Sequence, residues 1–149
     1  MIGLTHENIL QIVKALKADA TLVAMLAENP PYYDVRIRNM SRVNSIVPAE
    51  FMGDVKNMPS LGVKAGVTTL RGTNYIDAFI LIRCYNNMDK AYVDINTVLS
   101  RVEAVINDKL FTLTGMVNIA TTLESISAES VDDAYSLRYR EAQFRLQLI

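Results

Sequence analysis

Apolar residues first recur at helical spacing. Ile9, Ile12, Val13 and Leu16 form one stripe and leave Gln11, Lys14 and Lys17 for solvent. Thr5 stands where its hydroxyl can accept from the free N–H groups of the first turn. Asp19 can cap a second short turn carrying Leu22, Val23, Met25 and Leu26, and the helical signal ends at Asn29-Pro30-Pro31. The pattern therefore predicts a helix from about Thr5 to Ala27 that restarts at Asp19.

From about residue 30 to residue 59 neither the helical nor the strand period holds, which predicts a long loop with Tyr32 to Ile37 as a possible short strand. Leu61, Val63, Ala65 and Val67 then alternate with Gly62, Lys64 and Gly66, as in a strand with one buried face. A turn over Leu70 to Asn74 leads into Tyr75 to Tyr85, the clearest strand in the chain. Ile76, Ala78, Ile80, Ile82 and Cys84 make an unbroken apolar row there that should face the helices. Tyr75, Asp77, Phe79, Leu81, Arg83 and Tyr85 make a mixed aromatic and polar row on the other face. A second helix is predicted from Asp89, as N-cap, to about Asn107, burying Ala91, Ile95, Val98, Leu99, Val102, Val105 and Ile106.

Leu113, Val117, Ile119 and Leu123 alternate in a third strand with Gly115 as a bulge, and Ser125 to Asp133 is a polar connection. The closing strand from about Tyr135 to Ile149 carries Ala142, Phe144, Leu146 and Leu148 on one face. Its apolar parity changes between Leu137-Tyr139 and Ala142-Phe144, which predicts a bulge or a later start. The expected fold is one α+β domain over residues 1–149, a mainly antiparallel sheet of about four strands with two helices packed on one face.

Composition narrows the function classes. Half the residues are apolar and 21% charged, and a chain of 149 residues buries roughly 70% of its unfolded surface, so a self-sufficient core is expected rather than disorder. The net charge of -1 gives no overall basic field for nucleic acid or an anionic membrane. One cysteine excludes an internal disulfide, and the first residues carry no basic, apolar leader pattern, so the chain reads as cytosolic. No stretch is apolar enough for a membrane span.

Candidate chemistry is sparse. His6, the only histidine, lies on the first helical turn without a nucleophile nearby, and Cys84 lies in the apolar strand row. Together they cannot supply a structural zinc set. Asp132 and Asp133, with Glu124 and Glu129, read as solvated acids. Arg36, Arg38 and Arg42, interleaved with Tyr32 and Tyr33, can bind phosphate and stack on bases, or form a partner-facing loop surface. The Tyr75, Phe79, Leu81 and Tyr85 row is either covered by the long loop or is an oligomer surface.

The order of elements, with Leu16-Lys17-Ala18-Asp19-Ala20-Thr21-Leu22, the tyrosines after Pro30, Pro59-Ser60-Leu61, Phe79-Ile80-Leu81-Ile82-Arg83-Cys84-Tyr85, the Lys90 to Asn107 helix and Phe144-Arg145-Leu146, resembles the bacteriophage tail terminator family. Its members are also called tail completion or tail-to-head joining proteins. The resemblance implies a non-enzymatic virion protein of the tail, assembled in the host cytoplasm. It further implies a homo-oligomer, a six-membered ring that ends tube polymerisation and presents a joining surface to the head. The implied partners are the tail-tube protein and a head-tail connector, with DNA passing at most transiently through the lumen. No cofactor and no membrane are implied. Tyr75, Phe79, Leu81 and Tyr85 are then candidate interface residues, and Tyr32, Tyr33, Arg36, Arg38 and Arg42 candidate loop contacts.

Three other readings stand beside it: another neck or connector subunit, a small ligand-binding or regulatory α+β domain, and a hydrolase or nuclease using Asp132, Asp133, Glu124 or Glu129.

Overall fold

The computed structural model describes residues 3–26, 37–40, 58–88, 94–133 and 136–149. Helix α1 spans His6–Lys17, and the Thr5 hydroxyl accepts from the Asn8 N–H at 3.2 Å, the expected cap. The chain does restart at Asp19. Its carboxylate accepts from the Leu22 N–H at 2.9 Å and opens a separate helix α2, Ala20–Leu26. Helix α3 spans Ile95–Ile106 and buries Ile95, Val98, Leu99, Val102 and Ile106. Its N-cap is Asp94, while the expected cap Asp89 and Ala91 lie outside the described residues.

Among the described residues seven strands form one sheet: β1 Ile37–Asn39, β2 Ser60–Gly72, β3 Tyr75–Asn87, β4 Thr112–Leu113, β5 Met116–Ile126, β6 Ser130–Asp132 and β7 Leu137–Leu148. The order across the sheet is β1-β2-β3-β7-β5-β4, with β6 beside the start of β7. The pair β1 and β2 is parallel and the others are antiparallel. Strands β3 and β7 are in register without interruption from Ile76↔Leu148 to Asn87↔Leu137. Both flanking pairs, β2 with β3 and β5 with β7, are broken by bulges. Bulges bend a strand and increase its twist, and the sheet curls into a half-barrel.

The fold class differs from expectation. Among the described residues the protein is a mixed, mostly β half-barrel of seven strands with three short helices, not four strands with two helices. The long loop contains β1, whose parallel pairing leaves no hairpin signature in sequence. The polar connection contains β6, and Gly115, with φ +76°, is the turn between β4 and β5 rather than a bulge.

Ile76, Ala78, Ile80, Ile82 and Cys84 do face the helices. They join Leu61 and Val63 of β2, Ala142, Phe144, Leu146 and Leu148 of β7, and the stripes of α1, α2 and α3 in one core. Burying a side chain such as Phe144 contributes roughly 1.5–3 kcal/mol. A second cluster of Met58, Tyr85 and Leu137, with Tyr139 against it, is separate from that core. It accounts for the parity change in β7. Leu137 and Tyr139 belong to the sheet face opposite Ala142 and Phe144, and the strand passes from one core to the other with no bulge against β3.

Candidate assembly surface

The sheet face turned away from the helices carries the mixed row of β3, and cross-strand register decides what each of its residues meets. Tyr85 pairs with Tyr139, Arg83 with Glu141, Leu81 with Gln143 and Phe79 with Arg145. Arg83 and Glu141 form an ion pair at 2.9 Å. The Arg83 guanidinium lies 4.3 Å from the centroid of the Tyr139 ring and 5.9 Å from that of Tyr85, close enough for cation–π attraction. The two tyrosine rings stand 5.5 Å apart and tilted by 49°. Arg145 pairs with Glu124 at 2.9 Å, and Arg71 donates to Asp77 at 2.7 Å. This face is therefore a lattice of compensated charges over aromatic rings.

The four expected interface residues do not share one environment. Phe79 and Leu81 are half-buried, and Gly66 of β2 lies so near that a Cβ there would sit 3.3 Å from Phe79 Cβ. Tyr75 is half-buried at the other end of the strand from Tyr85, about 33 Å away at strand spacing. Tyr85 is 1% exposed, inside the second cluster, and burial pushes its phenol pKa upward. Leu81 also lines a cleft of about 140 Å³ with Met40, Gly62, Lys64, Arg83 and Glu141. Of the expected loop contacts, Arg38 is in β1 and half-buried, while Tyr32, Tyr33, Arg36 and Arg42 lie outside the described residues.

The acids considered for catalysis are dispersed. Glu124 is held by Arg145 and Glu129 by Arg138 at 3.1 Å, while Asp132 ends β6. Among the described residues no three His, Cys, Asp or Glu side chains converge as a metal site would require. Burial pushes the Cys84 thiol pKa well above its ordinary value, which leaves it no thiolate character at neutral pH. No helix among the described residues is long and apolar enough to cross a membrane.

Sequence reasoning missed a set of exposed apolar side chains. Val67 is 72% exposed, Leu70 74%, Val117 59% and Ile119 43%. Val67, Val117 and Ile119 fall in alternating patterns expected to be buried. The bulges after Ala65 and Asn118 and the turn at Gly115 move them out, and Gly66 and Gly115 were the available signals.

No family model matches the chain, and no curated protein matches it. Among solved structures, a chain in the virion of a native gene transfer agent (GTA) particle superposes with a TM-score of 0.60. The alignment covers 93% of this chain and 92% of that one at 14% identity. At that identity the likeness is one of fold, and it extends over nearly the whole of both chains: this protein is built on the same fold as a chain of a virion particle.

Proposed function

We propose that this protein is a structural component of a phage-like virion, and specifically the tail terminator. In that role copies close into a ring on the end of the tail tube, stop its growth and present a surface to the head connector. The observation that carries the reading is the fold match with a virion chain along almost the full length of both molecules. The sequence resemblance, from Leu16 to Leu22 and from Phe79 to Tyr85, supports the terminator in particular. A role in joining needs surfaces rather than catalysis, and the paired acids and deeply buried thiol suit it.

Native mass measurement combined with electron microscopy of tail tubes tests it. The expected result is an assembly of about six times the 16.7 kDa subunit mass that binds tube ends and halts elongation. A protein that stays monomeric at high concentration and ignores tube ends overturns it. Binding to a portal or connector ring instead of tubes would assign the chain to another position in the neck.

A further inference from the structure

On the sheet face away from the helices, four positions make a square across β2 and β3. Register places Gly62 opposite Arg83 and Lys64 opposite Leu81, so Lys64 and Arg83 stand on one diagonal. Diagonal neighbours across an antiparallel pair lie roughly 7–8 Å apart, a span that one carboxylate can bridge between two cations. The Gly62 corner carries no side chain. Gly62 has no positive φ, so the backbone does not require glycine there, and glycine inside a strand weakens it. Its effect is on space. The Met40 side chain closes one wall, with its Cγ 3.0 Å from where a Cβ on Gly62 would sit, and Met40 N–H anchors that wall by donating to the Val63 carbonyl at 2.7 Å. A cleft of about 140 Å³ stays open between Met40, Leu81 and the two cations.

The charges around this cleft are unequally spent. Glu141 accepts from Arg83 Nε at 2.9 Å, and Arg83 Nη1 reaches the Tyr85 hydroxyl at 3.4 Å. Arg83 Nη2 has no protein partner among the described residues, and Lys64 has no ion pair among them. Arg71 and Arg145 on the same face are each matched, by Asp77 and Glu124. Lys64, Arg83 and Glu141 together therefore leave one positive charge beside apolar walls, where water screens it less than on an open surface.

We infer that this cleft binds a small carboxylate carried on a compact apolar group. The apolar group fills the Gly62 corner against Met40 and Leu81, and the carboxylate accepts from Lys64 Nζ and the Arg83 guanidinium. Volume sets the bulk: a cavity of about 150 Å³ holds a benzene ring, so the ligand is an aromatic or branched acid of about that size. Charge sets the sign. A cation would meet two positive groups, and a neutral molecule would cover them without pairing them. Glu141 does not reverse this preference, because Arg83 already matches its charge. The site stands apart from the ring reading, and neither depends on the other.

Titration of the full chain with benzoate, benzyl alcohol and benzylamine tests this, read by the Met40 methyl NMR signal, which is assigned by its loss in Met40→Leu. Benzoate should shift that signal saturably at millimolar concentration or below. The alcohol and the amine carry the same ring without the negative charge and should bind about fivefold more weakly or worse. Lys64→Gln leaves the apolar walls in place and should weaken benzoate by a similar factor. Gly62→Val should abolish binding by filling the corner, and if that variant does not fold, Lys64→Gln decides. N-acetylglycylphenylalanine presents the same ring and carboxylate on a peptide: binding tighter than benzoate assigns the site to a chain terminus, and weaker binding assigns it to a free acid. No saturable shift with benzoate, equal affinity for benzyl alcohol, or unchanged benzoate affinity in Lys64→Gln overturns the inference.

Discussion

The Asp19 carboxylate holds the Arg101 guanidinium through both oxygens, at 2.6 and 2.8 Å, and so ties the start of α2 to the middle of α3. The same carboxylate caps α2 through Leu22 N–H. Its hydrogen bond to Arg101 outweighs partial burial and lowers its pKa below the ordinary carboxylate value.

Because Asp19 serves two partners, Asp19→Ala should destabilise the protein more than Arg101→Ala, with loss of the cap alone costing about 1 kcal/mol. A depressed pKa stabilises the fold while the unfolded carboxylate is also ionised, and that contribution disappears as pH falls through the folded value. The difference between wild type and Asp19→Asn in urea unfolding should therefore be full at pH 7 and shrink below about pH 4. An undiminished difference at pH 2 would contradict the assignment.

Tyr85 gives an alkaline counterpart. Its phenol pKa is raised by burial, so the neutral form is favoured in the folded state and stability falls as pH rises past the unfolded value of about 10. Of the seven tyrosines, the Tyr85 signal in ultraviolet titration should be absent until the protein unfolds, and Tyr85→Phe should remove that late step. The Phe variant retains the ring packing with Met58 and Leu137 and should fold normally.

These two sites mark what was legible from sequence. Both helix caps and the helix-facing row from Ile76 to Cys84 were readable because each depends on residues a few positions apart. The second core was not. Leu137 and Tyr139 meet Met58 and Tyr85 across long stretches of chain, so their apolar parity looked like an irregularity in one strand. The same distance hid β1, which pairs with Leu61 to Val63 from the far side of the loop. Phe79 and Leu81 lie on the sheet face that simple alternation assigns to them. The exposure of Val67, Val117 and Ile119 was not legible, since bulges and the Gly115 turn displace the alternation, and Leu70, read as the start of a turn, continues β2 instead.

Two turn glycines should respond differently to one substitution. Gly115 has φ +76°, where a side chain is strained, whereas Gly72 lacks a positive φ and a Cβ there meets nothing within 4 Å. Gly115→Ala should cost about 1 kcal/mol, and Gly72→Ala should be neutral or slightly stabilising by restricting the unfolded chain. Thermal unfolding of both variants compares them directly. Equal losses would mean that the β4–β5 turn tolerates a side chain.

Asn118, 5% exposed, accepts from Phe111 N–H at 2.8 Å and from the Thr121 hydroxyl at 3.1 Å, and donates to the Ala120 carbonyl at 2.9 Å. Asn118→Ala removes these bonds, together with a longer donation to the Gln147 carbonyl at 3.4 Å, and strands a buried N–H, for an expected loss of about 2 kcal/mol in chemical denaturation. Asn118→Asp keeps the acceptors and should lose less at low pH, where the acid is neutral.

Asn107 and Asp108 satisfy edge groups of β5 from only 16 and 13 positions upstream of Leu123 and Thr121. With both groups taken, an incoming strand would find no open backbone at Thr121 or Leu123, so the turn that ends α3 also blocks extension of the sheet by edge-to-edge pairing at that point.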